Sequence, residues 1–377
     1  MRKLVLVYFL MALCSLGASS AMAANETIGL SLAANRSEGP LYREVYRPVD
    51  ASLAITVNVP ARTPLITPLK SANVTFPADM DFFPDPKKTP TCSESKLNEQ
   101  SNLASGVASV VSLCPRSVVG TGTAVVQLAQ QSSPGSAIHD PKLIIFNAGR
   151  DGTGRPKITI YGYSKTVNTG LLMHGTLARD GQLKIDIGVL PFDSSVSQFT
   201  LGIPGDPIDA DDTASPGATA TVAGQDPSYL RAKCSTGAWR ATGDFLLGNR
   251  VFPSGASIGE GYHLQSNPYE LSCEGRRGKA RLGINKVRGP RRIVHGRRAH
   301  FVATIRNSGT ATARLVRLRA FGAARGNLRI GKLPPGSSRK VRLALKASGR
   351  KGKRKLTLRV TAAKTIRKDS VRKLQVG

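Results

Sequence analysis

The clearest pattern in the chain is a period of two in its last hundred residues. In 355–362 (KLTLRVTA), Leu356, Leu358, Val360 and Ala362 alternate with Lys355, Thr357, Arg359 and Thr361. Val341, Leu343 and Leu345 alternate with Arg342, Ala344 and Lys346, and Val316, Leu318 and Ala320 with Leu315, Arg317 and Arg319. The run 300–306 (HFVATIR) is a fourth. Successive side chains of a strand leave opposite faces of a sheet, so the alternation predicts half-buried strands. Turn residues separate them at 307–309 (NSG), 333–337 (LPPGS) and 349–352 (GRKG). Roughly seven short strands in about 100 residues predict an Ig-like sandwich.

The same reading applies upstream. Strand-like runs occur at 51–59, 142–146, 157–161, 170–174, 182–187 and 198–202, with a shorter one at 244–247. One helix is predicted within 93–112, with Ser93 as N-cap and Glu94 in its first turn. Proline-rich loops follow Phe83 and span 204–216. The expected fold is all-β: a large β-sandwich-like domain with one short helix over 24–274, then an Ig-like β-sandwich over 275–377. The first region is long enough for one large domain or two small ones.

Charge divides the chain at the same place. Residues 275–377 hold 32 Lys and Arg against one acid, Asp369, while the rest of the chain is close to neutral. A disordered basic arm would lack apolar periodicity, so this charge belongs to a folded unit. Its densest clusters are Arg276, Arg277 and Lys279; Arg291 and Arg292; Arg297 and Arg298; and Arg350, Lys351, Lys353, Arg354 and Lys355. Outward residues of one sign steer polyanions and hold them by counterion release. The tail's two aromatics, Phe301 and Phe321, fall in core-like contexts, which argues against base stacking. A plain solvated spacer would carry the same alternation.

The N-terminus sets the compartment. Arg2 and Lys3, the apolar run 4–16 and Ala21-Met22-Ala23 form a secretory signal with expected cleavage after Ala23. No run is long and apolar enough for a transmembrane helix, which needs about 20 residues. The expected location is extracellular or cell-surface associated. Removal of the signal leaves Cys92, Cys114, Cys234 and Cys273, an even number in an exported chain. The favoured pairing is Cys92–Cys114 and Cys234–Cys273, since each pair brackets a short segment. Zinc is disfavoured because no Cys-x-x-Cys spacing exists.

Other candidate chemistry is weak. The run 255–259 (GASIG) matches G-x-S-x-G, with His263 nearby, but sits in a Gly-rich loop rather than between a strand and a helix. Asp206, Asp209, Asp211 and Asp212 form an acidic loop without EF-hand spacing, and Asp79, Asp81 and Asp85 a weaker one. The run 149–154 (GRDGTG) opens no helix and reads as a turn. His174 lies in an apolar strand. No catalytic, cofactor or metal residue is expected.

Two resemblances complete the picture. The runs 303–320 and 331–347 resemble the CARDB-type Ig-like domain of bacteria. Arg306, Asn307, Gly309 and Ala313 fit its R-N-x-G-x-x-x-A turn; Gly331, Leu333, Pro335 and Gly336 fit its G-x-L-x-P-G turn. That resemblance implies an adhesion or spacer module on an exported protein. The fragments 76–82, 91–93, 113–122 and 232–239 (AKCSTGAW) are similar to uncharacterised exported bacterial β proteins, which implies export and β architecture but no activity. The function expected is a non-enzymatic binding or cell-envelope protein. Its basic tail would meet anionic wall or surface polymers, phospholipid head groups or, without sequence preference, extracellular DNA. The alternative is a secreted hydrolase with the tail as accessory module or spacer; a paired-carboxylate cleft would mark it.

Overall fold

A computed structural model describes residues 26–36, 39–58, 68–99, 103–128, 137–177, 182–187, 194–210, 221–248, 256, 258–363 and 367–377. The segment 1–23, expected to be a secretory signal, lies outside them, as do Gly255, Ser257, Asp211 and Asp212. The fold is all-β. Before residue 275 the strands are β1 (Thr27–Arg36), β2 (Arg47–Asn58), β3 (Leu69–Thr75), β4 (Met80–Phe82), β5 (Val118–Leu128), β6 (Ala137–Ile138), β7 (Lys142–Arg150), β8 (Pro156–Ser164), β9 (Thr169–Leu177), β10 (Gln182–Asp186), β11 (Ser194–Ile203), β12 (Ile208–Asp209), β13 (Thr221–Val222), β14 (Leu230–Ala232), β15 (Ala238–Leu247), β16 (Tyr262–Gln265) and β17 (Tyr269–Ser272).

Fifteen of these form one sheet. Its main path runs β16-β15-β3-β10-β9-β8-β7-β5-β11-β2-β14-β4, with β1 on β2. The sheet curls until β1 lies against β15, β16 and β17, and the Tyr262 hydroxyl donates to Glu26 at 2.6 Å across that seam. Alternate residues therefore fill one interior, including Leu32, Ile55, Ile145, Ile160, Ile185, Leu201 and Phe245. The run 142–146 is apolar without alternation because β7 is covered on both faces. Leu143 and Ile145 point inward, while Ile144 and Phe146 pack outward with Tyr161 beneath two short helices.

Those helices correct the expected single one. They are α1 (Glu94–Glu99) and α2 (Val107–Leu113), with a 3₁₀ turn at Leu103–Ser105 between them. Gly106, at φ 94°, leaves helical backbone and separates the pieces. Ser93 does cap α1: its Oγ accepts from the Lys96 amide at 3.3 Å. Cys92 and Cys114 flank both helices with sulfurs 2.05 Å apart. Tyr161, fully buried, donates its hydroxyl to the Leu103 carbonyl at 2.5 Å. Replacing Tyr161 with Phe is expected to cost about 1 kcal/mol in urea unfolding. An unchanged midpoint would show that the bond does not hold the helices.

The second sheet is built from β18 (Leu282–Arg288), β19 (Arg292–Ile293), β20 (Arg298–Asn307), β21 (Ala313–Gly322), β22 (Ala324–Leu333), β23 (Ser338–Ala347), β24 (Gly352–Thr361) and β25 (Arg367–Val376). Its order is β18-β20-β23-β22-β21-β24-β25-β19. Strand β22 turns the corner, pairing with β23 only at Ala324 and Arg325 and with β21 along most of its length. The two halves close on Phe301, Ile305, Leu318, Leu345, Leu356 and Val360, a cluster that shares no residue with the interior of the first sheet.

Cys234 and Cys273, with sulfurs 2.15 Å apart, lie just before the second sheet begins. There the Arg276 amide donates to Leu41 at 2.9 Å and Arg43 Nε to the Gly275 carbonyl at 3.1 Å. The Thr312 amide donates to the Glu44 carboxylate at 2.7 Å, and its hydroxyl donates to the same oxygen. The Thr312 hydroxyl is the main reason that the Glu44 carboxyl sits below its usual 4.5; partial burial opposes it. A carboxyl depressed in the folded state stabilises this contact above its ordinary pKa and loses it as pH falls through the lowered value. The contact is therefore expected to loosen on acidification from about pH 6 to 3, seen as a larger maximum dimension in small-angle scattering. E44Q should show the larger dimension throughout. Identical profiles for the two proteins at both pH values would contradict this.

Candidate anion-binding end of the basic sheet

Strand direction decides where the charges go. β20, β22 and β24 begin, and β18, β21, β23 and β25 end, at one end of the second sheet. The turns around 294–297 and 348–351 meet there. Gly296 donates its amide to Ala347 at 3.0 Å, and the Ala347 amide donates to Arg297 at 2.9 Å. His295 Nδ1 lies 3.0 Å from the Gly349 carbonyl oxygen. Arg292 and Ile293 pair in parallel with Gln375 and Val376 of β25.

This brings together clusters more than fifty residues apart in sequence. Arg291, Arg292, Arg297, Arg298, Arg350, Lys351, Lys353, Arg354 and Lys355 all lie at this end, and all are exposed. Two cations outside the sequence clusters join them. Arg325 and Arg298 flank Lys346 in register on neighbouring strands, about 4.8 Å apart at the backbone. Among the described residues no acidic side chain pairs with any of the nine. The tail's acid, Asp369, is engaged elsewhere: Arg359 donates to both of its oxygens at 2.8 Å.

Arg276, Arg277 and Lys279 are not part of this end. They lie at the opposite end, beside Tyr42 and Thr310. Two large surfaces lie between. The outer face of β18, β20 and β23 carries Arg288, Arg298, His300, Arg306, Lys340, Arg342 and Lys346. The outer face of β21, β24 and β25 carries Asp369 and Phe321. Phe321 corrects the sequence expectation. It is 37% exposed, with the Arg359 guanidinium 4.8 Å from its ring centre, whereas Phe301 is fully buried. In β21 the alternation places Phe321 with Arg317 and Arg319, so its outward position was readable from the strand phase.

The weaker candidates do not assemble into a site. His263 Nδ1 lies 3.0 Å from Asp244 on an exposed surface, and the serine of the G-x-S-x-G run lies outside the described residues. His174 is exposed and pairs with Glu94 at 3.1 Å. Among the described residues no group of three metal-ligating side chains occurs. Asp79 is nearly buried and accepts from the Ser235 amide at 2.5 Å and hydroxyl at 2.7 Å. It thereby ties the fragment 76–82 to 232–239. Burial, and then the neighbouring Asp206 carboxylate, push the Asp50 carboxyl above its ordinary range. Neither carboxylate lines a cavity of the interior.

No protein-family model matches the chain, and no curated protein matches it. Among solved structures it is similar to the CARDB domain of a Pyrococcus furiosus protein, solved in complex with di-metal ions. That match has 12% identity and a TM-score of 0.22, over 26% of this chain and 89% of that one. It is also similar to red sea bream transglutaminase, at 9% identity and a TM-score of 0.22 over 93% of this chain and 31% of that one. No helix among the described residues is long and apolar enough to cross a membrane.

Proposed function

We propose that this chain is an exported binding protein of two modules, 24–274 and 275–377. The basic module holds it to anionic polymers of a cell surface. One observation carries the reading: nine cations from separate sequence clusters lie exposed at one end of a sandwich, with no acidic side chain among them. Unpaired cations keep their counterions until a polyanion displaces them, so the end is primed for charge-driven capture. Arginines, which outnumber lysines among the nine, present flat forks that match carboxylate and phosphate oxygens. The arrangement presents charge far more than rings: of the module's two aromatics Phe301 is buried, and Phe321, 37% exposed, has the Arg359 guanidinium 4.8 Å from its ring centre. The two disulfide-distance cysteine pairs suit an oxidising compartment.

The test is co-sedimentation of the mature protein with purified bacterial cell wall, before and after its anionic polymers are extracted. The protein is expected to pellet with the intact wall and to stay in solution with the stripped one. Equal pelleting with both would overturn the reading.

A further inference from the structure

We infer that the outer face of β21, β24 and β25 is a docking surface for an anionic lipid bilayer. The inference goes beyond capture of polymers, and it concerns the side of the second sheet rather than its end. Register fixes which side chains share this face. Thr357 of β24 stands between Phe321 of β21 and Val371 of β25, so the three form one row across three strands. Neighbouring strands lie about 4.8 Å apart, which makes the row about 10 Å wide at the backbone. Phe321 is 37% exposed and Val371 58% exposed, and neither belongs to the apolar cluster of the second sheet.

Every other outward position where these strands pair is polar or charged. On one side of the row lie Lys355 and Lys373, and on the other Arg319 and Arg359. Arg317 and Arg367 follow one step further along the strands, on either side of Thr361. Asp369 stands beside Arg359 and is paired with it. The face is therefore an apolar strip bracketed by cations. Exposed apolar residues are ordinary when scattered; here two share one row, far apart in the chain, and interrupt an alternation that is otherwise kept.

The occupant follows from the charge and the strip together. The excess of cations repels a second copy of this face and calls for a partner of negative charge. An anionic polymer would meet the cations but leave Phe321 and Val371 against water. A bilayer containing anionic lipid satisfies both. Its head groups face the cations, whose long stems reach past the strip, and the strip enters the boundary between head groups and acyl chains. The Arg359 guanidinium, 4.8 Å from the ring centre of Phe321 and itself held by Asp369, keeps the ring in place for that contact.

The test uses the mature protein and vesicles of phosphatidylcholine, with and without phosphatidylglycerol, in a flotation assay at low salt. The protein is expected to float with the vesicles that contain phosphatidylglycerol and to stay behind with the neutral ones. The double variant F321S/V371S keeps every cation. It should lose at least about tenfold in vesicle affinity and bind duplex DNA within about twofold of wild type. Vesicle docking and polymer capture can therefore fail separately. F321W adds a reporter, since the chain's one tryptophan, Trp239, is buried. Its emission should shift to the blue on the anionic vesicles and be quenched by nitroxide-labelled lipid. That arm decides the question if the double variant fails to fold. No flotation with anionic vesicles, or undiminished affinity of the double variant, would overturn the inference. So would an F321W emission that responds to poly-glutamate and not to vesicles, which would assign the face to an acidic protein.

Discussion

Replacing Arg291, Arg292, Arg297, Arg298, Lys353 and Lys355 together with glutamine is expected to lower affinity for a duplex DNA probe by at least about 10³-fold at low salt. Each cation that neutralises a phosphate releases condensed counterions, and the slope of log K against log salt changes by about 0.9 per contact on B-DNA. Losing six contacts removes about five units of slope. All six side chains are exposed and none belongs to the apolar cluster of the second sheet, so the melting temperature should not change. The control is the triple replacement of Arg276, Arg277 and Lys279. Those residues lie at the opposite end, and their loss should cost no more than about tenfold. Equal losses from both variants would show that total charge, and not its collection at one end, governs binding. The comparison is made by fluorescence anisotropy at fixed ionic strength.

Replacing Asn307 with Ala is expected to destabilise the second sheet by about 3 kcal/mol. Asn307 is fully buried, and its amide meets four backbone groups. Nδ2 donates to Ala311 at 2.8 Å and to Leu333 at 3.0 Å; Oδ1 accepts from the Arg281 amide at 3.0 Å and the Gly309 amide at 3.1 Å. One side chain thereby ties the start of β18, the turn after β20 and the end of β22. Alanine leaves four backbone groups short of a partner, and each buried orphan costs about 1–3 kcal/mol before relaxation and water entry reduce the sum. Asn307→Asp keeps the two acceptor bonds but buries a charge and sets a carboxylate oxygen against the Ala311 and Leu333 carbonyl oxygens, and should cost at least as much as alanine. Chemical denaturation followed by the amide signals of 275–377 reads the effect. A change below about 0.5 kcal/mol would mean that water replaces the side chain at no cost.

Asn307 also shows what could be read from the chain. The R-N-x-G turn appeared in the sequence as a pattern; its physical content is this four-way bond and the tight approach of Gly309. A Cβ on Gly309 would stand 2.2 Å from the Lys279 carbonyl oxygen. The strands of the second sheet were legible because each has one wet face, so charge and apolar residues alternate. β5 was not legible. Its start, 118–123 (VVGTGT), has glycines where strand formers are usual, yet Gly120 and Gly122 are required by the close passage of β11. Their Cβ atoms would stand 2.2 Å from the Gly202 carbonyl oxygen and 2.0 Å from that of Thr200.

The clusters of the basic end were legible one by one, but not their meeting. Arg297 and Lys353 come together only because β20 and β24 start at the same end of the sandwich, a matter of strand order. The helix boundary failed for a local reason, since Gly106 interrupts a run whose composition suits a helix on both sides.

The central claim is that the basic end captures polyanions by charge. The most direct measurement is the affinity of the mature wild-type protein for two chemically different polyanions, duplex DNA and purified anionic wall polymer, across 50–200 mM salt. Binding to both is expected, falling by about 10³-fold or more over that range, as when six or more phosphates are neutralised. Binding that is insensitive to salt, or absent at 50 mM, would contradict it.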